Sequence, residues 1–290
     1  MRQNTLRVAA LSLTAAVALA SPAAAKTAQT QYYVSLGDSY AVGYQPGKGS
    51  TREGFADQTV TKAKKRGYHL ELVNFACGGA TTKSIISNKG CAKPARALGG
   101  PAYSDTQANA AAKFLRAHRG EVVLVTVSIG GNDVTACARG GSDPVACVAR
   151  AVDGIKTNVG KLGKKLRAAA GPKVGIVGTT YPDVILGQWV RPPVNQDLAK
   201  LSVVAFKSLI NPTLSDSYKA VDGQLVDVTR ATGAYGSLEK LTTLEPYGEI
   251  PVPVAEVCKL TWYCEKGDIH ARKSGYGVIA DLIVATLPRR

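Results

Sequence analysis

Five short apolar, β-branched runs punctuate the chain at residues 32–36, 70–75, 122–129, 173–178 and 224–228. Longer stretches with helical patterning separate them, at 54–66, 105–118, 144–169 and 194–221, and a last one follows at 274–287. In 105–118, Ala108, Ala111, Ala112 and Leu115 recur at helical spacing with Phe114 beside them, and Asp105 is the expected N-cap. Strands separated by helices cannot pair as hairpins, so they predict a parallel sheet covered on both faces. No internal repeat or low-complexity linker divides the chain. The expectation is therefore one α/β domain, a three-layer α/β/α sandwich on a parallel sheet of about five strands. A hydrophobic content of 45% against 20% charged residues suits such a core and excludes wholesale disorder.

The first residues speak to compartment. Arg2 and Arg7 flank the start of an alanine-rich apolar run over residues 8–20, and Ala23-Ala24-Ala25 supplies small residues for cleavage. These are the three parts of a secretory signal peptide, so residues 1–25 are expected to be removed and 26–290 to form the domain of a secreted protein. No other stretch approaches membrane-span length, which excludes a polytopic membrane protein. Six cysteines lie beyond the leader in three local pairs, Cys77 with Cys91, Cys137 with Cys147 and Cys258 with Cys264. Export favours disulfides, and nearest-neighbour pairing is the simplest connectivity. No C-x₂-C occurs and there are only three histidines, so no metal is expected. No Walker loop or dinucleotide fingerprint appears, so no cofactor is expected either.

In an open parallel sheet, ligands bind beyond the carboxyl ends of the strands. The first strand runs into Gly37-Asp38-Ser39-Tyr40, the second into Cys77-Gly78-Gly79-Ala80, the third into Gly130-Gly131-Asn132-Asp133 and the fourth into Thr179-Thr180-Tyr181-Pro182-Asp183. Ser39, Gly79 and Asn132 thus converge on one edge, and nucleophilic chemistry there needs a base. His69 sits at a strand start, away from that edge. His118 ends a helix, where a cation is ordinary capping. His270, in Gly267-Asp268-Ile269-His270 ahead of the last helix, is the remaining candidate.

These four blocks, in this order and at this wide spacing, resemble those of the SGNH/GDSL hydrolase family over nearly the whole mature chain. The three cysteine pairs further resemble secreted actinobacterial lipases and esterases of that family. The resemblance implies a flavodoxin-like fold with Ser39 as nucleophile, His270 as base, and an oxyanion hole of the Ser39 and Gly79 backbone N–H groups and the Asn132 side-chain amide. Gly79 is expected because a side chain would crowd the substrate. One block departs from the pattern. The family usually carries Asp three residues before the histidine, where this chain has Gly267, and Asp268 stands two residues before His270. Either the loop bends to bring Asp268 onto the imidazole, or a backbone carbonyl near Gly267 orients it. Asp38 and Asp133 are expected to shape turns. Tyr181 and Trp262 are candidates for the walls of a substrate pocket.

The implied activity is hydrolysis of carboxylic esters, small or lipidic, by a secreted esterase or lipase acting as a monomer. A carbohydrate O-deacetylase of the same fold is the alternative: a small acyl pocket would favour it, and an apolar groove beside Ser39 would favour lipids. A basic, catalytically dead protein that binds the cell envelope is the non-enzymatic reading. The formal charge of +15 falls to +13 once the two leader arginines are removed. An exported chain with no nucleic-acid-binding module gives that charge no nucleic-acid partner. The runs Lys62, Lys64, Lys65, Arg66 and Lys161, Lys164, Lys165, Arg167 are expected on solvated helix faces, with an anionic lipid or cell-envelope surface as the partner they would suit.

Overall fold

All five expected strands form one sheet in the computed structural model, which describes residues 31–137 and 143–289. They are β1 (Gln31–Gly37), β2 (Leu70–Asn74), β3 (Val122–Ser128), β4 (Gly175–Thr179) and β5 (Gln224–Val226), in the order β2-β1-β3-β4-β5. Every neighbouring pair is parallel. The pleat sorts the apolar residues into two cores. Val34, Leu36, Val125, Val127 and Ile176 meet the helices Gln107–Ala117, Pro144–Ala170 and Asn211–Lys219 on one face. Tyr33, Leu124 and Val177 meet Phe55–Ala63 and Lys273–Thr286 on the other. Burial of each such aliphatic side chain contributes roughly 1.5–3 kcal/mol, which is what holds the three layers together.

The order of the strands positions the site. From β1 the chain steps outward to β2, then crosses back to place β3 on the other side of β1. That reversal opens a crevice between the carboxyl ends of β1 and β3. At the end of β1, Gly37 has φ +137°, and a Cβ there would lie 2.1 Å from the Ser128 carbonyl oxygen. Only glycine lets β1 end this close to β3, and the Asp38 N–H then donates to that same oxygen at 3.1 Å.

Several local expectations need correction. Thr106, not Asp105, caps the Gln107–Ala117 helix, its side chain accepting from the Asn109 N–H at 3.1 Å. Asp105 lies one residue too early and accepts instead from the Thr106 N–H and the Asn109 side-chain amide. The 194–221 stretch is not one helix. It divides into Gln196–Ala205, a π-helical turn Phe206–Ile210 and Asn211–Lys219, with Pro212 in the first turn of the last. A short antiparallel hairpin, β6 (Leu241–Leu244) and β7 (Gly248–Pro251), carries no strand signal that sequence reading identified.

The three disulfides pair as expected, Cys77–Cys91, Cys137–Cys147 and Cys258–Cys264. The expected leader, residues 1–25, lies outside the described residues. No helix among the described residues is long and apolar enough to cross a membrane. The two basic runs fall on opposite faces of the sheet and are partly consumed by structure. Arg66 donates to the Val284 and Leu287 carbonyls, Arg167 to those of Val221, Gly171, Val174 and Asp222, and Lys62 pairs with Asp281 at 2.6 Å. Lys64, Lys65, Lys161 and Lys164 remain as the solvated portion.

Candidate active site

The turn after β1 is fixed from beneath by a buried carboxylate. Asp38 accepts from the Tyr40 N–H at 2.9 Å and from the Tyr181 hydroxyl at 2.6 Å. Burial pushes its carboxyl up to about 6, against the opposing pull of the Tyr181 and Tyr40 hydrogen bonds and the charge of His270. The Tyr40 hydroxyl in turn donates to the Ile269 carbonyl at 2.6 Å. Asp38 therefore does shape the turn, and through Tyr40 the turn is tied to the loop that carries His270. Ser39 emerges at the top of this arrangement, mostly buried.

Its expected partners close around it. Asp133 accepts from the Thr82 N–H at 2.9 Å and the Thr82 hydroxyl at 2.6 Å, so the turns after β2 and β3 are tied together. Asn132 donates one side-chain N–H to the Ala80 carbonyl at 2.8 Å, and the other has no acceptor among the described residues. Among the described residues neither the Ser39 nor the Gly79 N–H has a protein acceptor, although Gly78 donates to Ala95 and Ala80 to Cys77. Gly79 has φ +80°, and a Cβ there would meet no protein atom within 4 Å. Its positive φ favours glycine, and the space a side chain would occupy is free of protein atoms. Gly131 is the crowded one, since a Cβ on it would come 2.9 Å from the Tyr181 ring.

His270 sits on a bend that answers the departure at Gly267. Gly267 has φ +66°, a backbone conformation that L side chains rarely adopt, and a Cβ there would displace the Arg191 guanidinium. Asp268 curls forward instead. Its Oδ1 accepts from the His270 N–H at 2.9 Å, an Asx turn, and lies 2.6 Å from His270 Nδ1. Burial raises the Asp268 carboxyl, but the two hydrogen bonds from His270 and the nearby charges of His270 and Lys266 outweigh it and hold it below the ordinary range. Tyr44, which sequence reading did not single out, lies against the imidazole with ring centroids 4.3 Å apart. His270 Nε2 is buried and has no hydrogen-bond partner among the described residues.

Two cavities meet at Ser39 and Asn132. One, of about 470 Å³, brings Ser39, Gly79, Asn132, Tyr44, Asp268 and His270 onto a common wall. The other, of about 260 Å³, is a deep apolar cleft lined by Tyr181, Val134, Val148, Ile185, Phe206 and Ile210. Tyr181 lines this second cavity. Trp262 lines neither cavity: its two flanking cations, the Lys266 amine and the Arg272 guanidinium, lie 4.1 and 4.0 Å from the ring. Its indole N–H donates to Gln45, its backbone N–H donates to the His270 carbonyl, and Gln45 donates to the Ala271 carbonyl. Trp262 anchors the histidine loop. The other two histidines lie elsewhere, His69 exposed and His118 paired with Glu121 at 2.7 Å beyond its helix. No group of three or more metal-ligating side chains exists among the described residues.

Residues 35–234, more than two thirds of the sequence, match the model of the GDSL-like lipase/acylhydrolase family. The chain belongs to that family. The match covers the blocks of Ser39, Gly79 and Asn132 and ends before His270. Among solved structures, an extracellular lipase from Streptomyces rimosus is similar at 18% identity and a TM-score of 0.54, over 89% of this chain and 100% of that one. Phospholipase A1 from Streptomyces albidoflavus NA297 is similar at 16% identity and a TM-score of 0.52, again over 89% and 100%. These likenesses establish the SGNH/GDSL hydrolase fold. Comparison with curated proteins gives no match.

Behind the apolar cleft of this GDSL hydrolase lies a second buried carboxylate, Asp183, which accepts from the Ser202 hydroxyl at 2.8 Å. Burial pushes it up to about 7, against hydrogen bonds from Ser202 and the Ile185 and Leu186 amides. Unfolded, the group ionises near 3.8. Between those values the folded chain keeps a proton that the unfolded chain has lost, so the group's destabilising effect grows as pH rises through the window and is complete above it. Asp183→Asn should accordingly raise stability at pH 8 and give no gain at pH 4, measured by urea denaturation at both. An equal gain at both pH values would mean that ionisation is not the cause.

Proposed function

We propose that the protein is a secreted serine esterase or lipase that hydrolyses acyl esters through an acyl-serine intermediate, with residues 1–25 as its leader and 26–290 as one catalytic domain. Its membership of a lipase/acylhydrolase family, its three disulfides and its likeness to an extracellular lipase support this reading. Ser39 Oγ attacks the ester carbonyl and gives its proton to His270 Nε2. Negative charge gathers on the carbonyl oxygen, for which the unspent N–H groups of Ser39, Gly79 and Asn132 are the available donors. The carbon–oxygen bond to the alcohol then breaks, and the proton passes from His270 to the departing oxygen. Water, activated by the same imidazole, releases the acid and restores Ser39.

The observation that carries the substrate class is the pair of cavities. His270 must face the leaving alcohol, and it lines the larger, more polar cavity. The acyl group is left with the cleft lined by Val134, Val148, Ile185, Phe206 and Ile210. An acetyl group would leave that cleft almost empty, which argues against the deacetylase. Each added methylene buried there contributes about 0.8 kcal/mol, or roughly fourfold in kcat/KM. A nitrophenyl ester series should therefore climb steeply from acetate through butyrate to hexanoate, then level once the cleft is full. A maximum at acetate would favour the deacetylase instead.

A further inference from the structure

The apolar cleft opens onto a rim of exposed aliphatic side chains. Val145 is 60% exposed, Leu201 40%, Val204 56% and Leu209 45%, and all four line the cleft. They make up more than half of the seven large hydrophobics exposed among the described residues. Soluble proteins normally scatter such residues singly, whereas a cluster at a cavity mouth marks a face that is covered in use. The rim is built from two sides. Val145 begins the Pro144–Ala170 helix, and the other three lie on the Gln196–Ala205 helix and the π-helical turn after it.

The same stretch carries its own cations. Lys200 and Lys207, both exposed, stand four residues before and three after Val204, which aligns the three along one helix face. Asp197 is the acid of this stretch, its carboxylate 3.8 Å from the Lys200 amine, and the exposed Asp143 caps the helix that carries Val145. Aliphatic side chains flanked by lysines suit an element lying in an interface, with its apolar side among acyl chains and its ammonium groups at anionic head groups. The formal charge of +15 has the sign that such a surface attracts.

We infer that the rim of Val145, Leu201, Val204 and Leu209 docks the protein onto the surface of an aggregated, negatively charged lipid. The docked surface then delivers acyl chains into the cleft that ends at Ser39; this step and the choice of a lipid as occupant rest on the ester-hydrolase reading. Continuity of rim and cleft is what selects a lipid surface over a second copy of the chain, because a partner protein there would seal the acyl site.

The test is co-sedimentation of the Ser39→Ala protein with vesicles of equimolar phosphatidylglycerol and phosphatidylcholine, so that docking is read without hydrolysis. Val204→Asp/Leu209→Asp should weaken binding about tenfold or more, from the lost burial of two side chains. Val145→Asp, on the other helix, should weaken it independently, and thermal unfolding midpoints check that each variant is folded. High salt should loosen the parent's binding. Vesicle binding unchanged in both variants, or absent in the parent, overturns docking. So does a dimer in lipid-free sedimentation equilibrium that the rim substitutions dissolve. Activity of the Ser39 protein on soluble nitrophenyl esters is measured separately, so a failure of docking and a failure of the hydrolase reading are distinguished.

Discussion

Ser39→Ala and His270→Ala should each lower kcat for a butyrate ester by roughly 10⁶-fold, and the double variant should be no slower than either alone. The reasoning is chemical. A serine hydroxyl at its own pKa is a poor nucleophile, so its attack is worth little without a base to take the proton. A base without a nucleophile has only water to activate, in a cavity shaped for another geometry. The two therefore act as one unit, and removing the second member after the first takes away nothing further. What survives is the contribution of the donors at Ser39, Gly79 and Asn132, roughly 10³–10⁴ over water. Single-turnover and steady-state rates on purified variants measure this directly. If the double variant is slower by the product of the single effects, the residues do not work as a pair. If Ser39→Ala keeps activity within tenfold of the parent, the acyl-serine route fails.

Some of this architecture was legible in the sequence because it rests on local, periodic signals. The runs at 32–36 and 122–129 are continuous and β-branched since both faces of a parallel strand are buried, and the structure divides Val34 and Leu36 from Tyr33 as the pleat requires. The cysteines paired by proximity because each bridge closes a loop of at most 14 residues. What escaped depends on contacts between distant segments. Trp262 looked like a pocket wall from its place between two cysteines, yet Lys266 and Arg272 cover its ring and turn it into an anchor. The apolar cleft is assembled from Val134, Val148, Ile185 and Phe206, which no single window brings together. Its one sequence trace was the excess of aliphatic residues in 194–221, readable only as a long helix. Arg66 and Arg167 were counted as solvated charge, although both are spent on carbonyls that close other elements.

Asp268→Asn should lower kcat for the same ester by about 10³–10⁴-fold with little change in KM. In the present arrangement Asp268 Oδ1 takes the Nδ1–H of His270 at 2.6 Å, which leaves Nε2 as the lone-pair nitrogen that accepts the serine proton. An amide in place of the carboxylate can donate to Nδ1 and so favour the opposite tautomer, with the proton on Nε2, where it blocks catalysis. The amide also removes the negative charge that stabilises the imidazolium formed during attack. Oδ1 makes both contacts, so an Asn side chain that turns its NH2 to Nδ1 gives up the bond from the His270 N–H, and one that keeps that bond keeps the tautomer but not the charge. In either orientation the negative charge is lost at nearly unchanged side-chain size, which makes Asn a sharper probe than deletion. Asp268→Ala completes the comparison. If a backbone carbonyl near Gly267 orients the imidazole, Ala keeps turnover near the parent level. If Asp268 is the orienting group, both variants fail, and Ala retains no advantage.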